Sequence, residues 1–155
     1  MTESEIKQKE MEEYYDYLLS VILAEGKVGL VPTLNPKFIG CNYEEKSITL
    51  EFVVKEWQIN PEKILFGGAM ISMLDNAYGF LCHYFAGDRF ISTICLNTIF
   101  LKPGKLGDTI QVKVKADSYG RTIVNMSGEV YNITQKTMLA TSQTSFMMLD
   151  KTIEL

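Results

Sequence analysis

Between Ile64 and Gly87 the chain carries one formal charge, Asp75. That run constrains the fold more than any other feature. It is long enough to cross a bilayer, but Gly67-Gly68 near one end and Asp75-Asn76 in the middle are costly in lipid. A helix apolar on all sides is equally what a helix buried in protein looks like. We read it as a buried helix from about Gly67 to Phe85. Such a helix needs a sheet curled around it to cover more than one face.

The remaining sequence supplies that sheet. From Ser47 to Glu56, Ile48, Leu50, Phe52 and Val54 alternate with Thr49, Glu51 and Lys55, the pattern of a half-buried strand. After Gly87-Asp88, residues 90–101 alternate again. Ile94, Leu96 and Phe100 are expected on one face, with Thr93, Cys95 and Asn97 on the other. Pro103-Gly104 ends this strand. Three further strands follow at Thr109–Ala116, Thr122–Tyr131 and Thr137–Met147, separated by the turns Tyr119-Gly120 and Asn132–Lys136. Short turns between strands make the sheet mostly antiparallel. At the other end, Met11, Tyr14, Tyr15, Leu18, Leu19 and Ile22 recur at helical spacing, so residues 3–25 read as an amphipathic helix ended by Gly26. Residues 26–37, with Gly26, Gly29, Pro32 and Pro36, read as a loop. The class is α+β, and the element order is that of the hotdog fold, an antiparallel sheet wrapped around a long central helix. One domain is expected over 1–155, with an N-terminal helix over 1–25 and a core over 46–148.

Composition narrows the function. With 15 basic and 19 acidic residues the net charge is −4, a poor surface for nucleic acid. The cysteines, Cys41, Cys82 and Cys95, are odd in number and widely spaced, implying neither a disulfide framework nor a zinc site. His83 is the only histidine and reads as a helix or interface residue. Free thiols and an acidic start (Glu3, Glu5, Glu10, Glu12, Glu13, Asp16) lead us to expect a cytoplasmic protein without a signal peptide. No metal and no cofactor are expected, and no nucleophile elbow, dinucleotide fingerprint or phosphate loop is present.

The chemistry concentrates around the apolar helix. Gly67-Gly68 opens it, where backbone N–H groups lack intrahelical partners and the helix dipole adds positive character. Such a start can stabilise a developing oxyanion; a plain tight turn is the other reading. Asp75 sits among Met70, Ile71, Met73, Leu74 and Tyr78. An unpaired carboxylate there is costly, so it either meets a buried donor for structural reasons or serves function. Eight residues separate Gly67 from Asp75, about 12 Å along a helix. If both serve one reaction, two helices must lie antiparallel across a two-fold dimer.

The run Asn60-Pro-Glu-Lys-Ile-Leu-Phe66-Gly67-Gly68 followed by Met73-Leu74-Asp75-Asn76-Ala77, with LNTIFLKPGKLGD over 96–108, resembles the PaaI-like branch of hotdog-fold acyl-CoA thioesterases. The usual signature of that branch is His-Gly-Gly followed by a Leu-x-Asp-Asn/x-Ala segment, and the likeness covers roughly residues 46–148. The resemblance implies catalytic roles for four residues. Gly67 would polarise the thioester carbonyl through its N–H, and Asp75 would act as general base or nucleophile from the partner subunit. Asn60 would position the reacting groups, and Thr93 would hold the attacking water; as a bare strand residue Thr93 is equally an ordinary threonine. Substrate contacts would come from Phe66, Gly68, Arg121, Thr122 and Lys102, with Arg121 first among the cations for the CoA phosphates and Lys136 a further one. Met70, Met73, Met147 and Met148 are either an acyl channel or plain core.

Phe66 is the departure, standing where the branch usually has His. The expected function is hydrolysis of acyl-CoA to free acid and CoA. The alternative is an acyl-CoA-binding hotdog protein with little or no turnover. A hotdog dehydratase needs a His paired with an acid, and this chain has no His at the helix start. The expected partners are acyl-CoA and further copies of the chain, as a dimer at minimum with a tetramer open, and neither nucleic acid nor membrane.

Overall fold

The computed structural model describes residues 1–151. Helix α1 (Glu3–Ile22) begins with a capping box. The Thr2 hydroxyl accepts from the Glu5 N–H at 3.2 Å, and the Glu5 carboxylate accepts from the Thr2 N–H at 2.7 Å. Met11, Tyr15 and Leu19, spaced four apart, form its buried stripe. The helix stops a turn before Gly26. Its exit tightens, with the Ala24 N–H on Val21 O and the Lys27 N–H on Ala24 O, and Gly26 then takes φ 82°.

Residues 26–37 are not a featureless loop. Leu30–Leu34 form a short helix, α2, and Lys37–Asn42 form strand β1. Pro32 hid the helix from sequence reading, yet it occupies the first turn, where an N–H has no intrahelical partner anyway. Gly40, beside the bulge between Phe38 and Gly40, obscured the strand. Strand β2 (Ser47–Val53) pairs with β1 and ends before the expected Glu56, because Glu56–Gln58 turn into one 3₁₀ turn.

Helix α3 (Gly67–Ala86) is the central element. Eleven of its residues are buried, from Ala69 to Ala86, and it packs against β2 and the four strands that follow it. Gly87 at φ 62° closes it by donating to His83 O. Those strands are β3 (Phe90–Phe100), β4 (Thr109–Tyr119), β5 (Ile123–Asn132) and β6 (Thr137–Leu149). The six strands form one antiparallel sheet in the order β1-β2-β4-β5-β6-β3. Gly128 on β5 allows the close approach of helix to sheet, since a Cβ there would lie 2.8 Å from the Tyr78 hydroxyl. This is the hotdog architecture, a curled sheet around one helix. Among the described residues no helix is long and apolar enough to cross a membrane.

The two edges of the sheet differ. Beside β1 lies α1, whose Gln8 amide donates to Cys41 O and accepts from the Tyr43 N–H. Among the described residues β3 has no neighbour on its outer side, and it exposes Phe90, Ile94, Ile99 and Phe100.

Candidate functional site

The sequence-predicted residues fall into three groups along α3. The first surrounds its N-terminus. Asn60 Oδ1 accepts from the N–H groups of Glu62 and Ile64 at 3.0 and 3.2 Å, so its side-chain carbonyl shapes the loop entering the helix. The Phe66 N–H bonds Gln58 O and the Leu65 N–H bonds Gly104 O, fixing the entry angle. The first helical donors, Ala69 and Met70, both reach Phe66 O. The N–H groups of Gly67 and Gly68 are left without an acceptor among the described residues.

Two phenyl rings bracket these amides. A Cβ on Gly67 would meet Phe100 Cζ at 3.3 Å, and one on Gly68 would meet Phe66 Cε1 at 2.6 Å. Both rings are about half exposed. Lys102 is exposed in the loop after β3, the loop whose Gly104 O receives Leu65, so it belongs to this end of the helix.

The second group lies two turns along. Asp75 is half-buried, and its Oδ1 accepts from the Thr93 hydroxyl at 2.8 Å. The strand face expected for Thr93 is corrected here. A bulge between Thr93 and Cys95 breaks the alternation, so Thr93 pairs with Phe146 and Leu96 with Thr144, both inward-facing. Thr93 and Leu96 therefore share the face toward α3, while Cys95, Asn97 and Ile99 pair with the outer row Ser145, Gln143 and Thr141. The bulge is what lets a β3 hydroxyl reach a helix carboxylate. Asp75 and Thr93 open into an apolar pocket of about 370 Å³, which Asn76 also lines. Asn76 is nine-tenths buried, and its Oδ1 has no hydrogen-bond partner among the described residues.

The third group sits at the far end of α3. Arg121 and Thr122 are exposed in the β4–β5 turn. That turn is fastened to the helix terminus by the Tyr119 hydroxyl on Phe85 O and by Arg89, whose guanidinium donates to both Ala86 O and Arg121 O. Ten residues separate Phe85 from Asp75, about 15 Å of helix. One chain therefore brings Asp75 to Thr93 and sets Asn60 in the loop that leads to Phe66, Gly67 and Gly68, but does not join the three groups.

Sequence reading missed Arg89, the second cation at the Arg121 turn, which looked like an isolated charge after Gly87-Asp88. It missed the pocket wall from α2 as well. Met70, Met73 and Met148 are buried in the core and do not line the pocket beside Asp75. His83 is exposed on α3 in the single chain, and desolvation by its neighbours holds its pKa below the ordinary value. The larger groove, about 590 Å³ across the polar side chains of Lys113, Lys115, Glu129 and Gln143, contains no predicted site residue. Among the described residues no three His, Cys, Asp or Glu side chains gather where they could hold a metal ion.

The sequence profile of the thioesterase superfamily matches residues 62–139, half of the chain, from the loop before α3 to the start of β6. The chain belongs to the thioesterase superfamily. No curated protein matches it in sequence. Among solved structures, it is similar to the PaaI protein of the phenylacetic acid degradation operon of E. coli, with TM-score 0.75 and 17% identity over 96% of this chain and 99% of that one. A phenylacetic acid degradation-related protein from Ralstonia eutropha JMP134 gives TM-score 0.72 and 24% identity over 86% and 98%. A thioesterase-family protein from Streptococcus pneumoniae TIGR4, solved with coenzyme A, gives 0.67 and 18% over 75% and 87%. At these identities the structural likeness establishes the fold, and the PaaI-like resemblance read from the sequence agrees with it.

Proposed function

We propose that this thioesterase-superfamily chain hydrolyses acyl-CoA thioesters, with Asp75 as the reacting carboxylate. The observation that carries the reading is the Thr93–Asp75 hydrogen bond at an apolar pocket. Because the Thr93 hydroxyl donates its hydrogen bond to Asp75, its oxygen lone pairs remain free to accept from a water. Asp75 takes one proton as that water attacks the acyl carbon. The tetrahedral oxyanion needs donors, and the free N–H groups at the start of α3 are suited to it. Collapse breaks the C–S bond, and Asp75 returns the proton to the departing thiolate. The products are the free acid and CoA.

Asp75 cannot reach an acyl carbon held at Gly67 of its own helix, about 12 Å away along the axis. The open edge of β3 supports the same dimer from another direction. An apolar, unpaired strand edge invites a second strand. Antiparallel pairing of two β3 strands about a two-fold axis between Leu96 and Asn97 sets Thr93 opposite Phe100 of the partner subunit. Because Phe100 lies against Gly67 within each chain, that register carries the Asp75–Thr93 pair to the neighbouring helix start. CoA phosphates would then need cations, for which Arg121, Arg89 and Lys102 are the candidates.

Phe66 favours the second reading, a binder with little turnover, because a phenyl ring supplies no hydrogen bond at the helix start. A hydrolysis screen over short, long and aromatic acyl-CoAs, run beside an Asp75→Asn control, separates the two. Turnover that disappears in the variant supports hydrolysis; tight binding without turnover supports the second reading. Sedimentation of wild type and Ile94→Lys tests the dimer, which the added charge should split into monomers.

A further inference from the structure

The pocket beside Asp75 has a wall that lies outside the superfamily match. Helix α2 contributes Leu30, Val31 and Leu34, facing Ile71 of α3 and Leu96 of β3. This wall is anchored. Leu34 is fully buried, the Lys55 ammonium donates to Thr33 O at 2.8 Å, and the Thr33 hydroxyl bonds Gly29 O at 2.6 Å. Asn35, in the left-handed region, returns its N–H to Val31 O. Yet Leu30 is more than half exposed, an apolar side chain at the pocket with no cover of its own.

Resting on the thioesterase reading above, we infer that α2 is the specificity wall of the acyl site, and that the acyl group is neutral, apolar and of medium size. Volume and charge both point there. About 370 Å³ is at the lower end of the roughly 300–1,000 Å³ of small-molecule sites. An acetyl group would leave most of it empty, while a medium aliphatic or arylacetyl group would cover Leu30 and Leu96. Asp75 is the one charged side chain in the lining. An acyl group ending in a second carboxylate would face it with no cation to pair.

The test is kcat/KM over acetyl-, butyryl-, hexanoyl-, phenylacetyl- and succinyl-CoA, for wild type, Val31→Trp and Val31→Ala. Wild type should gain about fourfold per added methylene up to hexanoyl, the factor corresponding to ~0.8 kcal/mol, and should disfavour succinyl against butyryl. Val31→Trp, filling the pocket, should lower the hexanoyl-to-acetyl ratio by about tenfold or more, and Val31→Ala should move the preference toward longer chains. S-hexyl-CoA, a thioether that cannot be hydrolysed, should bind Val31→Ala and wild type but bind Val31→Trp at least tenfold more weakly in calorimetry. A flat chain-length profile, or the same preference in all three proteins, overturns the assignment of α2 while leaving hydrolysis intact. Absence of hydrolysis for every ester overturns the thioesterase reading instead, and thioether binding that ignores Val31 then overturns the α2 assignment as well.

Discussion

Asp75 and Asp108 are both aspartates pressed against apolar structure, and they differ in how much hydrogen-bonding capacity they have left. Asp108, in the connection between β3 and β4, is buried and accepts from the Asn132 amide at 2.7 Å, the Lys105 N–H at 2.9 Å and the Gln135 amide at 3.4 Å. Burial works to raise its pKa, but those hydrogen bonds outweigh it and hold the carboxyl below its ordinary value. Its backbone carbonyl also receives the Val54 N–H, tying the turn to the end of β2. Among the described residues Asp75 has one donor, Thr93, and it opens into a pocket. A carboxylate whose acceptor sites are filled by the fold holds structure together. One with acceptor sites to spare is available to a water or a substrate.

That contrast sets the expected outcomes. Asp75→Asn should lower kcat by about a thousandfold, within the range of general acid–base contributions, while its urea midpoint matches wild type; near-wild-type turnover would remove Asp75 from the reaction. Asp108→Ala should cost about 3 kcal/mol in urea unfolding, because it orphans buried donors, with turnover per folded molecule little changed. Thr93→Val should lower kcat about tenfold, and restoring the hydroxyl with Thr93→Ser should recover most of it. A strand threonine without a role in turnover would leave kcat unmoved in both.

The pH dependence of stability should follow Asp108. Its folded-state pKa lies below the unfolded value, so its contribution is fully present at neutral pH. It is lost as pH falls below 3.8, the ordinary value, and through the lower folded-state value. Urea midpoints measured from pH 6 downward should show this loss in wild type and a shallower one in Asp108→Asn. The smallest effect on stability is expected at Phe66. Its half-exposed ring makes Phe66→His worth within about 0.5 kcal/mol, while a new donor at the helix start should raise turnover severalfold. Unchanged turnover would show that the helix amides suffice without it.

Much of the site could be read before any coordinates. The glycine pair and Asp75 follow from one helix with one charge, and their separation follows from helical rise alone. The two aspartates could not be ranked that way, because Asp108 in Gly107-Asp108-Thr109 looks like an ordinary turn residue. What satisfies it, Asn132 and Gln135, is more than twenty residues distant and arrives only when β4 and β5 pair.

The sequence by itself determined that a helix apolar on every side would need a curled antiparallel sheet, since hydrophobic periodicity is local and survives in any window of the chain. Only the tertiary structure decided that Thr93 faces Asp75, that α2 walls the pocket and that β3 is left as the open edge. Each of these depends on register between segments far apart in sequence. A single extra residue at the Thr93–Cys95 bulge reverses which face a side chain occupies, and it exists because Thr93 and Cys95 take Phe146 and Ser145 as successive partners.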